Sequence, residues 1–250
     1  MTRLIHAEAL RLATTRTYWL LAAGAIALIA GSVALTAAAS SFTGGISPAR
    51  QVLAIAGLAQ TVALIAGALS VTGEFRHHTI TAAVLITPRR TPLLAAKLTT
   101  LTAAGLVFGL AATGMATAIT LPLLAARHLP AGISGTGTAT IITGGGIATA
   151  LAAAIGVGAG AIIRNQVGAI IAVLALLYVA EPLLGFIPHL GTVIQQYGLG
   201  GLASATTRTA GFPASAHPLG QPAAALILAG YATAALAAGA LLLRRRDIPT

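Results

Sequence analysis

Residues 73–97, GEFRHHTITAAVLITPRRTPLLAAK, form a strongly polar block in a chain that is otherwise almost continuously apolar. The block holds four of the 14 Lys and Arg residues, and Glu74 in it is one of only four carboxylates. So many charged groups are too costly to place in lipid, and a cationic segment between two apolar spans normally faces the cytoplasm. We therefore regard the block as the candidate surface on which something soluble binds.

The composition of the whole chain excludes a water-soluble domain. Of its 250 residues, 57% are hydrophobic and only 7% are charged, and the mean hydropathy is +0.93. A soluble domain carries about 25% charged residues, which cover its surface. We expect an all-α integral membrane protein with one transmembrane domain over 1–250. The bias towards Ala, Gly, Thr and Arg suggests a GC-rich bacterial genome, and hence a multi-pass protein of the bacterial plasma membrane.

Six apolar segments are long enough to cross a bilayer, which takes about 20 helical residues. Pro122 is expected to end the third segment early, and the run of glycines at 144–146 weakens the start of the fourth. Residues 189–221 are rich in Gly and Pro, but 190–202 is fairly apolar, which predicts an extracellular segment that lies on the membrane or re-enters it. The predicted spans are 17–38, 51–72, 93–125, 138–163, 167–188 and 222–243.

The distribution of Lys and Arg predicts the orientation of these spans. With the N-terminus inside, eleven of the 14 cations fall in inner segments and three in outer loops, whereas the opposite orientation reverses this bias. Cytoplasmic loops carry the excess of Lys and Arg, so both termini are predicted to be cytoplasmic. The inner cations are Arg3, Arg11, Arg16, Arg76, Arg89, Arg90, Lys97, Arg164, Arg244, Arg245 and Arg246, and the outer ones are Arg50, Arg127 and Arg208.

Two amphipathic segments are predicted on the inner surface. Residues 1–16 predict an interfacial helix, followed by Arg16 and Trp19 as anchors at the headgroup level. Residues 74–85 within the loop 73–92 predict a short helix, which Pro88 and Pro92 end and which Arg89 and Arg90 anchor at lipid phosphates. An ordinary solvated loop without any partner explains the second segment equally well.

Several kinds of chemistry find no support in the sequence. The chain has no cysteine, and its six His residues are scattered, so neither a metal site nor a cofactor site is expected. The net charge of +10 lies at the ends of apolar spans, where anionic headgroups explain it better than nucleic acid does. No Walker motif is present, so any work driven by ATP needs a separate subunit. We predict no catalytic residue.

Two polar residues leave alternatives open. Glu181 lies in the outer half of the fifth span, where a carboxylate is either a proton carrier or cargo contact on a substrate path, or an acid that reaches water because Pro182 ends the helix. Residues 132–135 match the G-x-S-G pattern of intramembrane serine proteases of the rhomboid type, with Ser134 as nucleophile and His217 as base. This pattern recurs by chance in sequences of such biased composition.

The polar block also resembles a known family. The runs 73–81 (GEFRHHTIT), 87–90 (TPRR) and 94–97 (LAAK) are similar to the first cytoplasmic loop of bacterial type-2 ABC exporter permeases. In many of these, a Glu-x-Arg-x-x-Thr-Ile run leads to Thr-Pro-x-Arg and then to a Lys that opens the third span. Glu8 with the run 14–19 (TTRTYW) resembles their N-terminus. His78 stands where a glycine is common.

The resemblance implies a half-transporter. Two six-span permease subunits, identical or not, pair around a central path, and each rests on an ABC ATPase subunit that binds ATP and magnesium. Residues 74–90 then form the coupling helix and 3–16 the connecting helix, while 185–220 correspond to short re-entrant helices. The coupling residues that it implies are Glu74, Phe75, Arg76, His77, Thr79 and Ile80. A secondary transporter or channel that uses Glu181, without ATP, is the competing class.

Overall fold

The computed structural model describes residues 2–42, 46–76, 90–209 and 219–245, and within these ranges the chain is helical with no strand. The described ranges contain eleven α-helices. They are α1 Thr2–Thr14, α2 Arg16–Ala39, α3 Pro48–Leu53, α4 Leu58–Arg76, α5 Arg90–Ala126, α6 Gly135–Ile163, α7 Gln166–Ala175, α8 Glu181–Gly185, α9 Leu190–Tyr197, α10 Leu199–Thr207 and α11 Gln221–Arg245.

Among the residues that the structure describes, six helical segments are long and apolar enough to cross a membrane, as the sequence predicts. Their bounds agree with the predicted ones to within three residues. The all-α, multi-pass character of the chain is therefore confirmed. In order along the chain, the spans are Arg16–Ala39, Pro48–Gly73, Leu94–Ala126, Gly135–Ile163, Gln166–Gly185 and Gln221–Leu242.

Proline has a different effect on the third span from the one predicted. Pro92 lies in the first turn of α5. An N–H group at this position has no acceptor within the helix, so proline, which lacks the N–H, is tolerated there. Pro122 lies inside α5, and the helix continues to Ala126. The prediction that Pro122 ends this span early is wrong, because a transmembrane helix tolerates one lost hydrogen bond where neighbouring groups satisfy the backbone.

The fourth span, α6, forms the centre of the fold. Its most apolar stretch is 72% buried within the protein, whereas that of the fifth span is only 11% buried. It packs against α4, α5 and α11. Glycine permits this packing, since a Cβ at Gly156 would overlap the Leu64 carbonyl of α4 and a Cβ at Gly144 would overlap the Thr206 carbonyl of α10. The glycines at 144–146 thus lie inside a continuous helix, and close backbone approach compensates for their weak helix propensity.

Two of the spans depart from α-helical geometry. In the second, a 3₁₀ turn, Ala54–Gly57, separates α3 from α4. In the fifth, a π-helical turn, Leu176–Ala180, separates α7 from α8. Before the last span, the segment predicted to be broken by Gly and Pro contains the two short helices α9 and α10, while its position relative to the membrane stays a prediction.

Candidate functional site

The N-terminal helix α1 is attached to the start of the third span by a buried ion pair. The Nζ of Lys97 donates to Oε1 of Glu8 at 2.9 Å. The Lys97 side chain is only 2% exposed and that of Glu8 is 14% exposed. Arg11 lies 3.8 Å from the same Glu8 oxygen, and its side chain is 45% exposed. A charged side chain this deeply buried requires a partner, so the pair fixes where α1 lies.

Apolar packing continues the same attachment. Leu12 of α1 packs against a buried cluster that includes Val71 near the end of α4 and Leu101 of α5. Trp19, at the start of the first span, donates from Nε1 to the Ala13 carbonyl at 2.9 Å and is 64% exposed. Helix α1 therefore sits beside the start of α5, the helix that follows the polar block.

The predicted coupling residues fall only partly within the described residues. Glu74, Phe75 and Arg76 form the last turn of α4, which continues the second span. His77, Thr79, Ile80 and Arg89 lie outside the described residues, as does the rest of the predicted helix over 77–85. Among the predicted anchors, Arg16 begins α2 and Arg90 begins α5. The coupling role of these residues stays a prediction.

Glu181 interacts with the backbone of a short helix. The N–H groups of Leu199 and Gly200 donate to its two carboxylate oxygens, at 2.6 Å and 2.9 Å. These are the first N–H groups of α10, which lack partners within their own helix and carry the positive end of the helix dipole. The carboxylate thus caps α10 from a neighbouring span. Neither predicted explanation of Glu181 includes this contact.

Ser134 has a structural explanation of a similar kind. It is the N-cap of α6, and its Oγ accepts a hydrogen bond from the Gly137 N–H at 3.1 Å. Its Oγ also lies 2.9 Å from the Thr136 hydroxyl. Gly132 adopts a φ of 67°, which glycine allows at this turn. His217 lies outside the described residues, and the described hydrogen bonds of Ser134 include no base.

A cavity of about 200 Å³ lies between the second, fourth, fifth and sixth spans and α10. Residues on both irregular turns line it, namely Ala54 and Gly57 on the 3₁₀ turn and Leu177 and Tyr178 on the π-helical turn. Across one side, the hydroxyls of Thr61 and Tyr178 are hydrogen-bonded at 2.9 Å. No charged side chain of the described residues lines the cavity.

Metal ligation is not indicated by the described part of the chain, in which no three His, Asp or Glu residues come together. No protein-family model and no curated protein matches the sequence.

The contacts of Glu8, Glu181 and the cavity lining could not be found from sequence spacing, because their partners lie far away along the chain. For the Glu8 contact, the only indication in the sequence was a single lysine, Lys97, at the start of the third span.

Proposed function

We propose that this chain is the membrane permease subunit of an ATP-driven ABC exporter of the bacterial plasma membrane. Two such subunits form the substrate path, and each binds a separate ATPase subunit through the cytoplasmic loop 73–92. The ATPase supplies ATP hydrolysis, since the sequence has no phosphate-binding loop of its own. Both termini face the cytoplasm in this proposal.

The observation that carries the proposal is the position of α1. The Glu8–Lys97 pair holds this helix against the start of the third span, which follows the polar block, and Leu12 packs on a cluster that includes Val71 of the second span. A surface that receives force from a soluble partner needs such bracing, because a free loop would bend instead of moving its spans. An unpartnered solvated loop would not require a buried ion pair beside it.

The packing of the second and third spans supports transmission of that force. Both contact α6 with little space between the backbones, since a Cβ at Gly67 would overlap the Ala153 carbonyl and one at Gly109 would overlap the Thr149 side chain. Helices that pack this closely have little free volume between them and transmit strain to one another. A displacement of the loop 73–92 would therefore reach the central helix of the fold.

The test of coupling is ATP hydrolysis by the native assembly. The tagged chain is purified with its bound subunits and reconstituted in liposomes, and vanadate-sensitive hydrolysis is measured. We expect the charge reversal E74R/R76E to abolish hydrolysis stimulated by the permease, while the amount of chain inserted in the membrane is unchanged. The matched control is R50E, at the opposite end of the second span, which should hydrolyse ATP like the wild type.

Two results would refute the coupling proposal. One is wild-type hydrolysis by the E74R/R76E variant. The other is uphill transport by the purified chain without any ATPase, driven by a pH gradient and lost on the substitution E181Q, which would establish the secondary-transporter class. The described contacts of Glu181 favour a structural role, since both carboxylate oxygens accept hydrogen bonds from α10.

Orientation has its own test, because the chain contains no cysteine and any introduced one is unique. We expect a cysteine in place of His78 to react with a membrane-impermeant maleimide in inside-out vesicles and not in intact cells. The control variant is T136C, at the exposed start of α6, which should show the reverse. Labelling of H78C from outside would exclude a cytoplasmic loop and with it the proposed ATPase contact.

A further inference from the structure

We propose that the cavity between the second, fourth, fifth and sixth spans and α10 is a binding site for a small uncharged molecule that carries a hydroxyl or carbonyl group. The site lies within a single chain, and it goes beyond the proposed function because neither ATP nor transport is needed for it to bind its ligand.

The backbone around the cavity gives the first reason. Within the described part of the spans, the 3₁₀ turn Ala54–Gly57 and the π-helical turn Leu176–Ala180 are the two segments that depart from α-helical geometry, and both line this cavity. Irregular backbone at membrane depth is tolerated where it is buried in protein or lines a cavity. Single π-helical turns are frequent at functional sites. Two such turns around one space indicate a site rather than a packing defect.

Gln60 gives the second reason. It lies about 18 Å from the start of the second span and about 20 Å from its end, which places it near the middle of the membrane. It lines the cavity, and its side-chain amide makes no hydrogen bond to any described residue. An amide in an apolar environment costs free energy unless it finds a partner. A ligand with a hydroxyl or carbonyl group would supply that partner.

The remaining walls define the class of ligand. Hydroxyl groups line one side, at Thr61, Tyr178 and Ser204, while Leu64 and Ile155 supply aliphatic surface. No charged side chain is among the described lining residues, and the Glu181 carboxylate behind the wall is already hydrogen-bonded to Leu199 and Gly200. An ionic ligand would therefore lack a counter-charge in contact with it, which is unfavourable. The volume of about 200 Å³ suits roughly eight non-hydrogen atoms, since a cavity of about 150 Å³ holds benzene.

The test uses 4-fluorobenzyl alcohol as the probe. Its binding to the full chain in lipid nanodiscs is measured by fluorine NMR, with empty nanodiscs as the baseline for partitioning into lipid. We expect saturable binding that unlabelled benzyl alcohol displaces. Replacing the probe by 4-fluorotoluene should weaken binding about tenfold, the loss of one buried hydrogen bond, and 4-fluorobenzoate should not bind.

Two substitutions locate the site. We expect Q60L, which keeps the size of the side chain and removes the amide, to weaken binding of the alcohol about tenfold without changing that of the toluene. We expect A203L to abolish binding by filling the cavity, whereas A23L on the exposed surface of the first span should leave binding unchanged. Binding no greater than in empty nanodiscs, which would mean a cavity filled by water alone, overturns the proposal. Equal binding by wild type and Q60L also overturns it.

Discussion

Two carboxylates, Glu8 and Glu181, each connect a short helix to a membrane span, but by different chemistry. Glu8 belongs to the short helix α1, and its partner is a cationic side chain, Lys97, in the third span. Glu181 belongs to the fifth span, and its partners are two backbone N–H groups at the start of the short helix α10. The first attachment pairs two charges, and the second pairs a charge with a helix dipole.

The two attachments depend on particular side chains to different extents. Any residue other than a cation at position 97 would leave Glu8 without this partner. By contrast, the N–H groups of Leu199 and Gly200 belong to the backbone and are present with every residue except proline. The α1 attachment is therefore sensitive to substitution at both partners. The α10 attachment depends on the side chain of Glu181 and on the small size of Gly200, where a Cβ would lie 3.0 Å from the Glu181 carboxylate.

The largest expected effect tests the ion pair. We expect E8M to lower the free energy of unfolding by about 3 kcal/mol, because it removes a carboxylate from a buried ammonium group. K97M should also lower the free energy of unfolding, although Glu8 is 14% exposed and retains Arg11 at 3.8 Å. The double variant E8M/K97M should recover most of the loss, as buried ion pairs are often replaceable by apolar groups. Unfolding in mixed micelles containing dodecyl sulfate measures all three.

The control for this comparison is R11M, which removes the exposed cation near Glu8 and should change stability by about 0.5 kcal/mol or less. A local measurement is also available, because Trp19 is the single tryptophan and contacts α1 through Ala13. Its fluorescence should shift in E8M and return in the double variant. Equal stability of E8M and wild type would mean that the ion pair does not hold α1.

The second prediction concerns the charge on α10. We expect E181Q to lower the free energy of unfolding by about 1.5 kcal/mol, because the amide offers one acceptor oxygen and no charge to two N–H donors. Hydrogen exchange of the Leu199 and Gly200 amides should accelerate in the same variant. Unchanged stability together with unchanged exchange would show that Glu181 does not cap this helix, and would return it to the candidates for a substrate path.

The spans of this fold could be predicted because their signal is local. Length and apolar composition place each span to within a few residues, and Gly and Pro between 189 and 221 indicate breaks where α9 and α10 occur. The predictions failed where contacts with neighbouring helices outweigh the intrinsic helix propensity of a residue. The prediction for Pro122 failed because a membrane helix accommodates one missing hydrogen bond, and glycines at 144–146 are retained because other helices approach them closely.

The sites were less predictable because their partners are distant in the sequence. Glu8 and Lys97 lie 89 residues apart, and Glu181 and Leu199 lie 18 apart, so no periodicity links them. The irregular turns that line the cavity carry no recognisable motif either. Lys97 is the single lysine of the chain, and the chain has only four carboxylates. A lysine at the start of a span therefore has few candidate partners, but the sequence does not show which carboxylate it pairs with.

A third prediction compares two hydrogen bonds between uncharged groups, each of which also joins a short helix to a membrane span. Trp19 donates to the Ala13 carbonyl of α1, and the Tyr231 hydroxyl donates to the Tyr197 carbonyl of α9, each at 2.9 Å. We expect W19F and Y231F to lower the free energy of unfolding by about 0.5–1 kcal/mol each. W19F should cost less, since Trp19 is 64% exposed and Tyr231 39%. Circular dichroism is the measurement, because W19F removes the fluorophore.

The smallest expected effect is the energetic coupling between the two carboxylates. Glu8 and Glu181 share no described partner, and they hold different short helices onto different spans. Independent sites have additive effects to within about 0.5 kcal/mol. We therefore expect the loss of stability in E8M/E181Q to equal the sum of the losses in E8M and E181Q. A larger deviation would mean that the N-terminal helix and α10 respond to one another through the central helix α6, and that the two attachments form one mechanical unit.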